Sequence, residues 1–489
     1  MMLWLAALRD WVRLGCILIA ALSSAWVMAQ QPPDFRLPAG VVPSAYTVSL
    51  TIIPAEPSFH GNISIDLDIQ HSIQLIWLNG TGLTIGSAEV SQHGKVQSAE
   101  IVAGGADFIG VRVPKPLAAG KAELRIAYTG KISSGGDGLF RRDYKGATYL
   151  LTQFEPDAAR RVFPCFDEPG FKATWQFTLH VPHDQVGLTN APVESEMPEA
   201  NGMKAIRFGR TKPLSTYLVA LAVGPFDIVE AGRGGKSQTP VRIITPKGEG
   251  AGAKFAADIT PPVLDWFEDY LGVPYAFGKL DLIANPGCSS GAMEHPGLIT
   301  FCGPQLVTLP EQDFPKRRRD FTRVIAHEMA HQWFGNLVTP AWWDNLWLSE
   351  GFATWLQGKY IEATHPEWNF RTEELRNRFA TLQDDGLATT RRLNEPVNSK
   401  AEINNSFGSI TYVKGAAVLA MFDVATGDVK FRQALRRYLD GHRFRTATSE
   451  DLIEALHAED GRQLADALAK FVDQPGVPLV NASLACSAA

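Results

Sequence analysis

The segment His327-Glu328-Met329-Ala330-His331 constrains this sequence more than any other stretch. Two histidines four positions apart lie on the same face of a helix, so both imidazoles can face one point. Two imidazoles at that spacing suit a zinc ion. Glu328 directly follows the first histidine, where a carboxylate lies beside the metal and accepts a proton from an activated water. The spacing therefore predicts a helix that carries two metal ligands and a general base.

A third ligand is predicted on a second helix, which is expected to begin near Leu346. Glu350 lies in the first turn of that helix, where its carboxylate can complete a His, His, Glu site. Three protein ligands and an open fourth position for water are typical of a catalytic zinc ion rather than a structural one. We therefore expect one Zn²⁺ per chain, bound by His327, His331 and Glu350.

The alternative is an amphipathic helix with two histidines on its polar face and no metal. The bare motif is short enough to occur by chance in a chain of this length. The pair Trp342-Trp343, the run from Glu350 to Ala353 and the helical context all favour the metal site.

The length of 489 residues predicts more than one hydrophobic core. From about residue 35 to 230, short alternating runs predict strands, and no segment has helical periodicity over the length of a helix. These runs include Tyr46 to Ile53, Ile63 to Ile69 and Thr216 to Val223. Farther along, helical periodicity dominates at 252–271, 367–383, 410–425, 428–440 and 448–472.

The predicted fold is therefore a multidomain α and β chain. We expect a signal peptide at 1–29, an all-β amino-terminal domain at 30–230, a mainly helical domain at 231–472 and a tail or first strand at 473–489. The net charge of −6 gives no reason to expect a nucleic-acid partner. The short basic run from Lys316 to Arg319 is interpreted as a solvated approach to the metal-binding helix.

The first 29 residues differ from the rest of the chain. Arg9 and Arg13 precede an apolar run from Leu14 to Ala29, and short side chains occupy the positions before a plausible cleavage point. This pattern is typical of a secretory signal peptide. An uncleaved membrane anchor stays open as the alternative, although the run is shorter than the ~20 residues that a span needs. We expect an exported protein, periplasmic or extracellular, that meets a membrane only through this segment if it is uncleaved.

Four cysteines would remain after cleavage of that segment: Cys165, Cys288, Cys302 and Cys486. An exported protein can oxidise its cysteines. Cys288 and Cys302 flank a short segment and are the disulfide candidate, while two free buried thiols are an equally open reading.

Several ordered motifs between about 35 and 480 extend the argument beyond the metal-binding helix. They are Gln153-Phe-Glu-Pro, Phe163-Pro-Cys-Phe-Asp-Glu-Pro, Gly291-Ala-Met-Glu, Tyr412-Val-Lys-Gly-Ala and Gln474-Pro-Gly-Val-Pro. With these motifs the chain resembles the aminopeptidase N-like zinc metallopeptidases, a family that includes the leukotriene hydrolase type. The resemblance implies a β-rich amino-terminal domain, a thermolysin-like catalytic domain, and an enzyme that removes single residues from the free amino termini of peptides.

The resemblance also implies roles for individual residues. Glu155 and Glu294 would bind the α-ammonium group of the peptide, a task suited to anionic acceptors. Gly291 and Ala292 would offer backbone groups to an extended substrate, which their small size allows to approach closely. Tyr412 corresponds to a tyrosine that stabilises the developing oxyanion as a hydrogen-bond donor.

Gln153, Met293 and Phe407 correspond to family positions that line the pocket for the first side chain. Three residues depart from the family pattern. His295 stands where Asn is usual, with a hydrogen-bonding role expected before a second-metal role, and Pro296 stands where Trp is common. Ser349 replaces a common Asn, a change expected to be tolerated.

Two other functions stay open. The first is leukotriene-hydrolase-like epoxide chemistry, which is disfavoured because Glu155 stands where that type has Gln and because the chain lacks the family's usual carboxy-terminal domains. The second is a catalytically weak peptide-binding protein, against which the complete set of catalytic residues argues. The sequence does not indicate an oligomeric state.

Overall fold

The computed structural model describes residues 31–288, 291–308, 313–478 and 483. The expected signal peptide, most of the expected tail and Cys486 lie outside these described residues. Within them, no single helix is long and apolar enough to cross a membrane, and one bent pair, Lys400–Ser406 with Ile410–Thr426, meets the criteria of length and composition.

The first half of the described chain consists of strands. They are β1 (Val41–Thr51), β2 (Ser58–Ile69), β3 (Ile73–Asn79), β4 (Thr84–Gln92), β5 (Lys95–Ser98), β6 (Glu100–Gly104), β7 (Phe108–Leu117), β8 (Gly120–Lys131), β9 (Gly138–Tyr144), β10 (Ala147–Gln153), β11 (Thr174–Pro182), β12 (Val186–Thr189), β13 (Val193–Pro198), β14 (Met203–Phe208) and β15 (Leu221–Gly224). They form sheets in the orders β13-β14-β11-β1-β2-β8-β4-β5, β12-β15-β10-β9 and β3-β7-β6.

The alternating pattern of the sequence sets the register of the largest sheet. In β1 every second side chain from Tyr46 to Leu50 is buried, and Tyr46 lies opposite Ile65 of β2. On its other edge β1 runs parallel to β11, where the rings of Tyr46 and Trp175 stack with centroids 3.9 Å apart. A register shift of one residue would turn these side chains to solvent, so the apolar alternation specifies the pairing.

The second half combines a smaller sheet with helices. Its strands are β16 (Phe226–Gly234), β17 (Thr239–Pro246), β18 (Leu280–Asn285), β19 (Ala292–Met293), β20 (Leu298–Cys302), β21 (Thr339–Pro340) and β22 (Thr446–Ala447). Its helices are α1 (Lys254–Leu271), α2 (Gly303–Leu306), α3 (Pro315–Ala330), α4 (Trp347–Thr364), α5 (Phe370–Asp385), α6 (Lys400–Ser406), α7 (Gly415–Thr426), α8 (Asp428–Gly441), α9 (Ser449–Asp460) and α10 (Arg462–Asp473). The order β16-β17-β18-β20-β19 puts β19 at an edge of the sheet.

The predicted fold class is confirmed, because a strand-rich half precedes a mainly helical half. Two local predictions were wrong. In the expected strand at 216–223, Thr216–Leu218 forms a 3₁₀ turn, and the strand itself begins at Leu221. The expected helix at 448–472 is two helices, because Gly461 between them has a φ of +86°. The helix expected at 410–425 is confirmed, with a π-helical turn, Ile410–Lys414, that leads directly into α7. The domain limits stay predictions.

A disulfide joins Cys288 to Cys302 and closes the segment that carries β19. Inside this closed segment, β19 pairs with β20, and the backbone N–H of Cys302 donates to the carbonyl of Gly291 at 3.0 Å. The structure therefore contains the disulfide bond and not two free thiols. The bond anchors the segment that carries the edge strand β19.

Loss of this bond is expected to destabilise the protein. Replacing both Cys288 and Cys302 with Ala removes a cross-link between residues 14 positions apart. Closing a loop of that size restricts the unfolded chain and contributes about 3 kcal/mol. The midpoint of urea unfolding should fall accordingly, and wild-type protein unfolded with a reductant should match the double variant. Equal midpoints for wild type and variant without reductant would contradict this expectation.

Candidate metal centre and active site

Three predicted ligands converge between α3 and α4. The Nε2 atom of His327 lies 3.1 Å from Nε2 of His331, and Oε2 of Glu350 lies 3.3 Å and 3.4 Å from these two nitrogens. Two imidazole nitrogens and a carboxylate oxygen that face one point form the donor set of a divalent metal such as zinc. The residues present therefore fit a metal ion, as the sequence predicted.

Packing between the two helices holds the ligands in place. Phe321, Ile325 and Met329 are buried and form an apolar stripe along α3. Beyond the end of α3, the ring of Phe334 stacks on Phe352 of α4 with centroids 4.0 Å apart. His331 directly follows Ala330, the last residue of α3, so the turn that leads to α4 begins at this metal ligand.

The turn after α3 also orients the second histidine. Gly335 has a φ of +121°, and a side chain there would overlap Ser349 Oγ and crowd His331 Nδ1. That nitrogen lies 3.0 Å from Ser349 Oγ and 3.1 Å from the carbonyl oxygen of Phe334. A proton on Nδ1, donated to this carbonyl, leaves Nε2 with a lone pair for the metal. Ser349, one of the departures from the family pattern, therefore contacts a ligand directly.

Buried carboxylates surround the metal position. Oε1 of Glu294 lies 4.0 Å from Nδ1 of His331, and the ligand atoms of Glu294, Glu328 and His331 all lie within 4.8 Å of one another. Burial raises the pKa of Glu155, Glu294 and Glu328, and repulsion from the neighbouring carboxylates acts in the same direction. Such a cluster is stabilised by cations, which suits both a metal and an ammonium group.

Tyr412 lies in the π-helical turn Ile410–Lys414, a rare element that is frequent at functional sites. Its ring is nearly parallel to that of His327, with centroids 6.3 Å apart. Burial first, and then the negative charges of Glu350 and Glu155, raise the pKa of Tyr412. The phenol therefore stays neutral and keeps its proton for donation.

Two amide side chains that sequence reasoning missed hold Glu294 through its backbone. Asn336 Nδ2 donates to the carbonyl of Glu294 at 2.7 Å, and Gln332 Nε2 donates to the same oxygen at 3.0 Å. Gln332 also donates to the carbonyl of Glu328 at 3.1 Å. The signal in the sequence was the presence of two amides in an otherwise apolar segment, where a buried amide needs partners.

A lysine from the first half of the chain supports this arrangement. Lys172 Nζ donates to the carbonyl oxygens of Asn336 and Leu337 at 2.8 Å and 3.3 Å, and to Thr339 Oγ1 at 2.8 Å. The turn that carries Asn336 is therefore tied to the strand-rich half of the molecule.

The remaining predicted residues divide between two places. Gln153 Nε2 donates to the sulfur of Met293 at 3.3 Å, so these two meet, with Ala292 adjacent on β19. Gly291 has a φ of +109°, and its carbonyl is already bonded to Cys302. Phe407 packs instead beside Trp343, with ring centroids 6.1 Å apart.

His295 has the hydrogen-bonding role expected for it. Its Nδ1 lies 3.1 Å from Thr300 Oγ1, and the residue is fully buried. Among the described residues, it belongs to neither of the two groups that could hold a metal ion.

Ser349→Ala is expected to weaken metal binding without removing a ligand. Loss of a hydrogen-bond partner that orients a ligating histidine typically lowers metal affinity 10- to 100-fold, so roughly that change should appear in a competition titration against a chelating dye. Thr354→Ala is the matched control, because Thr354 lies on the same helix, α4, and is not among the hydrogen-bond partners of His331. An unchanged affinity in Ser349→Ala would refute the orienting role.

Comparison with known proteins agrees with this geometry. The model of the peptidase M1 N-terminal domain matches residues 42–218, and that of the peptidase family M1 domain matches residues 255–474. The chain is 35% identical to Aminopeptidase M1 of Arabidopsis thaliana over 467 residues, which are 94% of this chain and 53% of that protein.

Relatives from animals show the same relationship. Identity is 32% with the Glutamyl aminopeptidase of Sus scrofa, over 92% of this chain and 49% of that protein. Identity is 31% with the Puromycin-sensitive aminopeptidase of Caenorhabditis elegans, over 92% of this chain and 48% of that protein. The chain thus spans about half the length of the curated relatives it matches. Two successive family models and relatives aligned along nearly the whole chain show that it belongs to the M1 family of peptidases.

Proposed function

We propose that the protein is a zinc-dependent aminopeptidase that releases single residues from the free amino termini of peptides. The observation that carries the proposal is the convergence of His327, His331 and Glu350 beside the buried carboxylates of Glu294 and Glu328. The names of the aligned relatives support the same activity. Zinc suits the donor set of two imidazoles and one carboxylate.

A zinc ion bound by the three ligands would supply Lewis acidity, which lowers the pKa of a water and polarises a peptide carbonyl. Glu328 follows the first ligand and is buried beside the second. Its carboxylate accepts the proton of the attacking water and returns it to the leaving amine. Burial raises the pKa of Glu328, which makes its carboxylate a stronger proton acceptor.

Glu155 and Glu294 bind the α-ammonium group of the substrate. Burial first, and then the charges of Glu294 and Glu350, raise the pKa of Glu155, while burial raises the pKa of Glu294 and Glu350 acts in the same direction. An ammonium group between them relieves that repulsion and forms charge-assisted hydrogen bonds. Oε1 of Glu294 lies 4.0 Å from Nδ1 of the ligand His331, so an amino terminus bound by this ammonium clamp, Glu155 and Glu294, presents the first peptide bond for hydrolysis.

Tyr412 donates a hydrogen bond to the oxyanion that develops on the attacked carbonyl. A preorganised donor of this kind typically contributes ~3 kcal/mol to transition-state stabilisation. Gln153 and Met293, which touch each other, contribute to the pocket for the first side chain.

We also propose that the protein is exported, with a cleaved segment at 1–29. The disulfide between Cys288 and Cys302 supports this proposal, because such bonds persist in oxidising compartments. Sequencing the amino terminus of the secreted or periplasmic form would test it, with Gln30 as the expected first residue.

The decisive experiment compares zinc-loaded protein on fluorogenic aminoacyl amides and on their N-acetylated forms. Only the free amines should be cleaved well, because an acetyl group leaves the clamp carboxylates without their partner, at a cost of about 2–5 kcal/mol. Glu328→Gln should lower kcat by roughly 10²- to 10⁴-fold. Equal cleavage of both forms would exclude the ammonium clamp, and no cleavage by folded, zinc-loaded protein would favour a peptide-binding role.

Asn336, which lies away from the reacting atoms, supports the ammonium clamp by holding the backbone of Glu294, and a variant tests this role. Asn336→Ala should raise KM for free-amine substrates about 10-fold with a smaller change in kcat, because the carbonyl of Glu294 loses its shorter hydrogen bond. Asn79→Ala is the control, since Asn79 is an equally buried amide in the strand-rich half. If both variants raise KM equally, the effect is general destabilisation.

A further inference from the structure

A buried ion pair lies behind the π-helical turn that carries Tyr412. Nζ of Lys414, the last residue of that turn, lies 2.8 Å from Oδ2 of Asp385, the last residue of α5, and donates to the carbonyl of Gly476 at 2.9 Å. The side chains of Lys414 and Asp385 are only 10% and 2% exposed. Neither the metal site nor the acid–base chemistry described above uses this pair.

Lys414 and Tyr412 point to different sides of the turn. Residues two positions apart are rotated by about 200° in an α-helix, and their side chains therefore point in nearly opposite directions. The ring of Tyr412 lies beside the ring of His327, with centroids 6.3 Å apart, whereas Lys414 reaches the end of α5. The ion pair therefore acts on the site only through the position of the turn.

The start of the turn is also held from outside. The guanidinium of Arg391 donates to Thr411 Oγ1 at 2.6 Å and to the carbonyl of Ser406 at 3.0 Å. A π-helical turn interrupts the regular hydrogen bonding of a helix, so its position depends on such contacts. Anchors thus hold the residue before Tyr412 and the second residue after it.

The turn packs directly on α4, the helix that carries the third ligand. A Cβ added to Gly351 would lie 3.2 Å from Cα of Gly415 and 3.3 Å from the carbonyl oxygen of Thr411. Gly351 directly follows Glu350, so this close approach of two backbones lies beside a metal ligand. A turn released from its anchors can move away from α4, and the phenol of Tyr412 would move with it.

We propose that Asp385 is a positioning residue for Tyr412: its ion pair with Lys414 holds the π-helical turn against α4 and so preorganises the phenol for the oxyanion. A buried ion pair is weak evidence for stability, but it requires one arrangement of its two partners. A misplacement of about 1 Å lowers a rate by as much as ~10²-fold, so an anchor remote from the reacting atoms affects kcat. This inference rests on the proposed aminopeptidase activity.

The test measures kcat and KM of zinc-loaded Asp385→Asn on leucine p-nitroanilide. The value of kcat should fall about 10-fold and KM should change less than about twofold, because the phenol acts on the transition state. Tyr412→Phe, which lacks the hydroxyl, should lower kcat roughly 10²- to 10³-fold. Lys414→Arg keeps the charge and should retain most of kcat.

A double variant distinguishes positioning from general damage. If Asp385 acts through the phenol, Asp385→Asn combined with Tyr412→Phe should have the same kcat as Tyr412→Phe alone. Two losses that multiply would overturn the proposal, as would a wild-type kcat in Asp385→Asn.

Asp423→Asn is the matched control. Asp423 is a buried acid of α7 that pairs with Lys359, also at 2.8 Å, and among the described residues it has no hydrogen bond or ion pair with the π-helical turn. It should keep the kcat of the wild type, and an equal loss in both aspartate variants would refute the positioning role. Asp385→Asn combined with Lys414→Met leaves no buried charge unpaired, and it should show the same loss of kcat if the single variant does not fold.

A spectroscopic measurement separates this proposal from the proposed function. In protein labelled with fluorotyrosine, the fluorine NMR resonance of Tyr412 is identified by its absence in Tyr412→Phe. It should shift or broaden in Asp385→Asn and stay unchanged in Asp423→Asn, whether or not a substrate is cleaved. An unchanged resonance in Asp385→Asn would refute the role of Asp385, whereas a lack of cleavage by the wild type would refute only the aminopeptidase proposal.

Discussion

The site depends on three ligand atoms that converge from two helices. The four-residue spacing of His327 and His331 fixes two of them on one face, and the return of the chain through a tight turn brings Glu350 opposite. That turn needs Gly335, since a side chain there would displace the residues that orient His331. The stacked rings of Phe334 and Phe352 then hold the two helices together. The positions of the three ligand atoms therefore depend on the packing of the two helices as well as on the ligand residues themselves.

The same convergence explains why so many acids are buried together. Carboxylates in a dry interior repel one another and favour protonation, as the raised pKa of Glu155 and Glu328 shows. In the proposed function, a divalent ion and a substrate ammonium group supply the missing positive charge. The backbone of Glu294 is held by two amides, so its carboxylate stays in the cluster despite the repulsion. Binding energy is thus available for a cation at either position.

The sequence predicted the parts of this structure that follow a period. The convergence of His327, His331 and Glu350, the strand-rich half and most helices are readable from spacing and alternation. Contacts between a side chain and a distant carbonyl have no period, so the roles of Gln332 and Asn336 and the tie from Lys172 were not foreseen. Thr216–Leu218 has the composition of a strand but forms a turn, because tertiary context overrides local preference. The position of Phe407 beside Trp343 likewise follows from packing alone.

Gln332 donates to the carbonyl oxygens of both Glu294 and Glu328, so one side chain joins the residue that follows β19 to α3. This link fixes the separation between the backbone positions of the two acids. Gln153 and Met293 lie outside this link. In the proposed function, changes in Gln153 and Met293 would therefore alter which amino-terminal residue is removed, while one residue is still removed in each event.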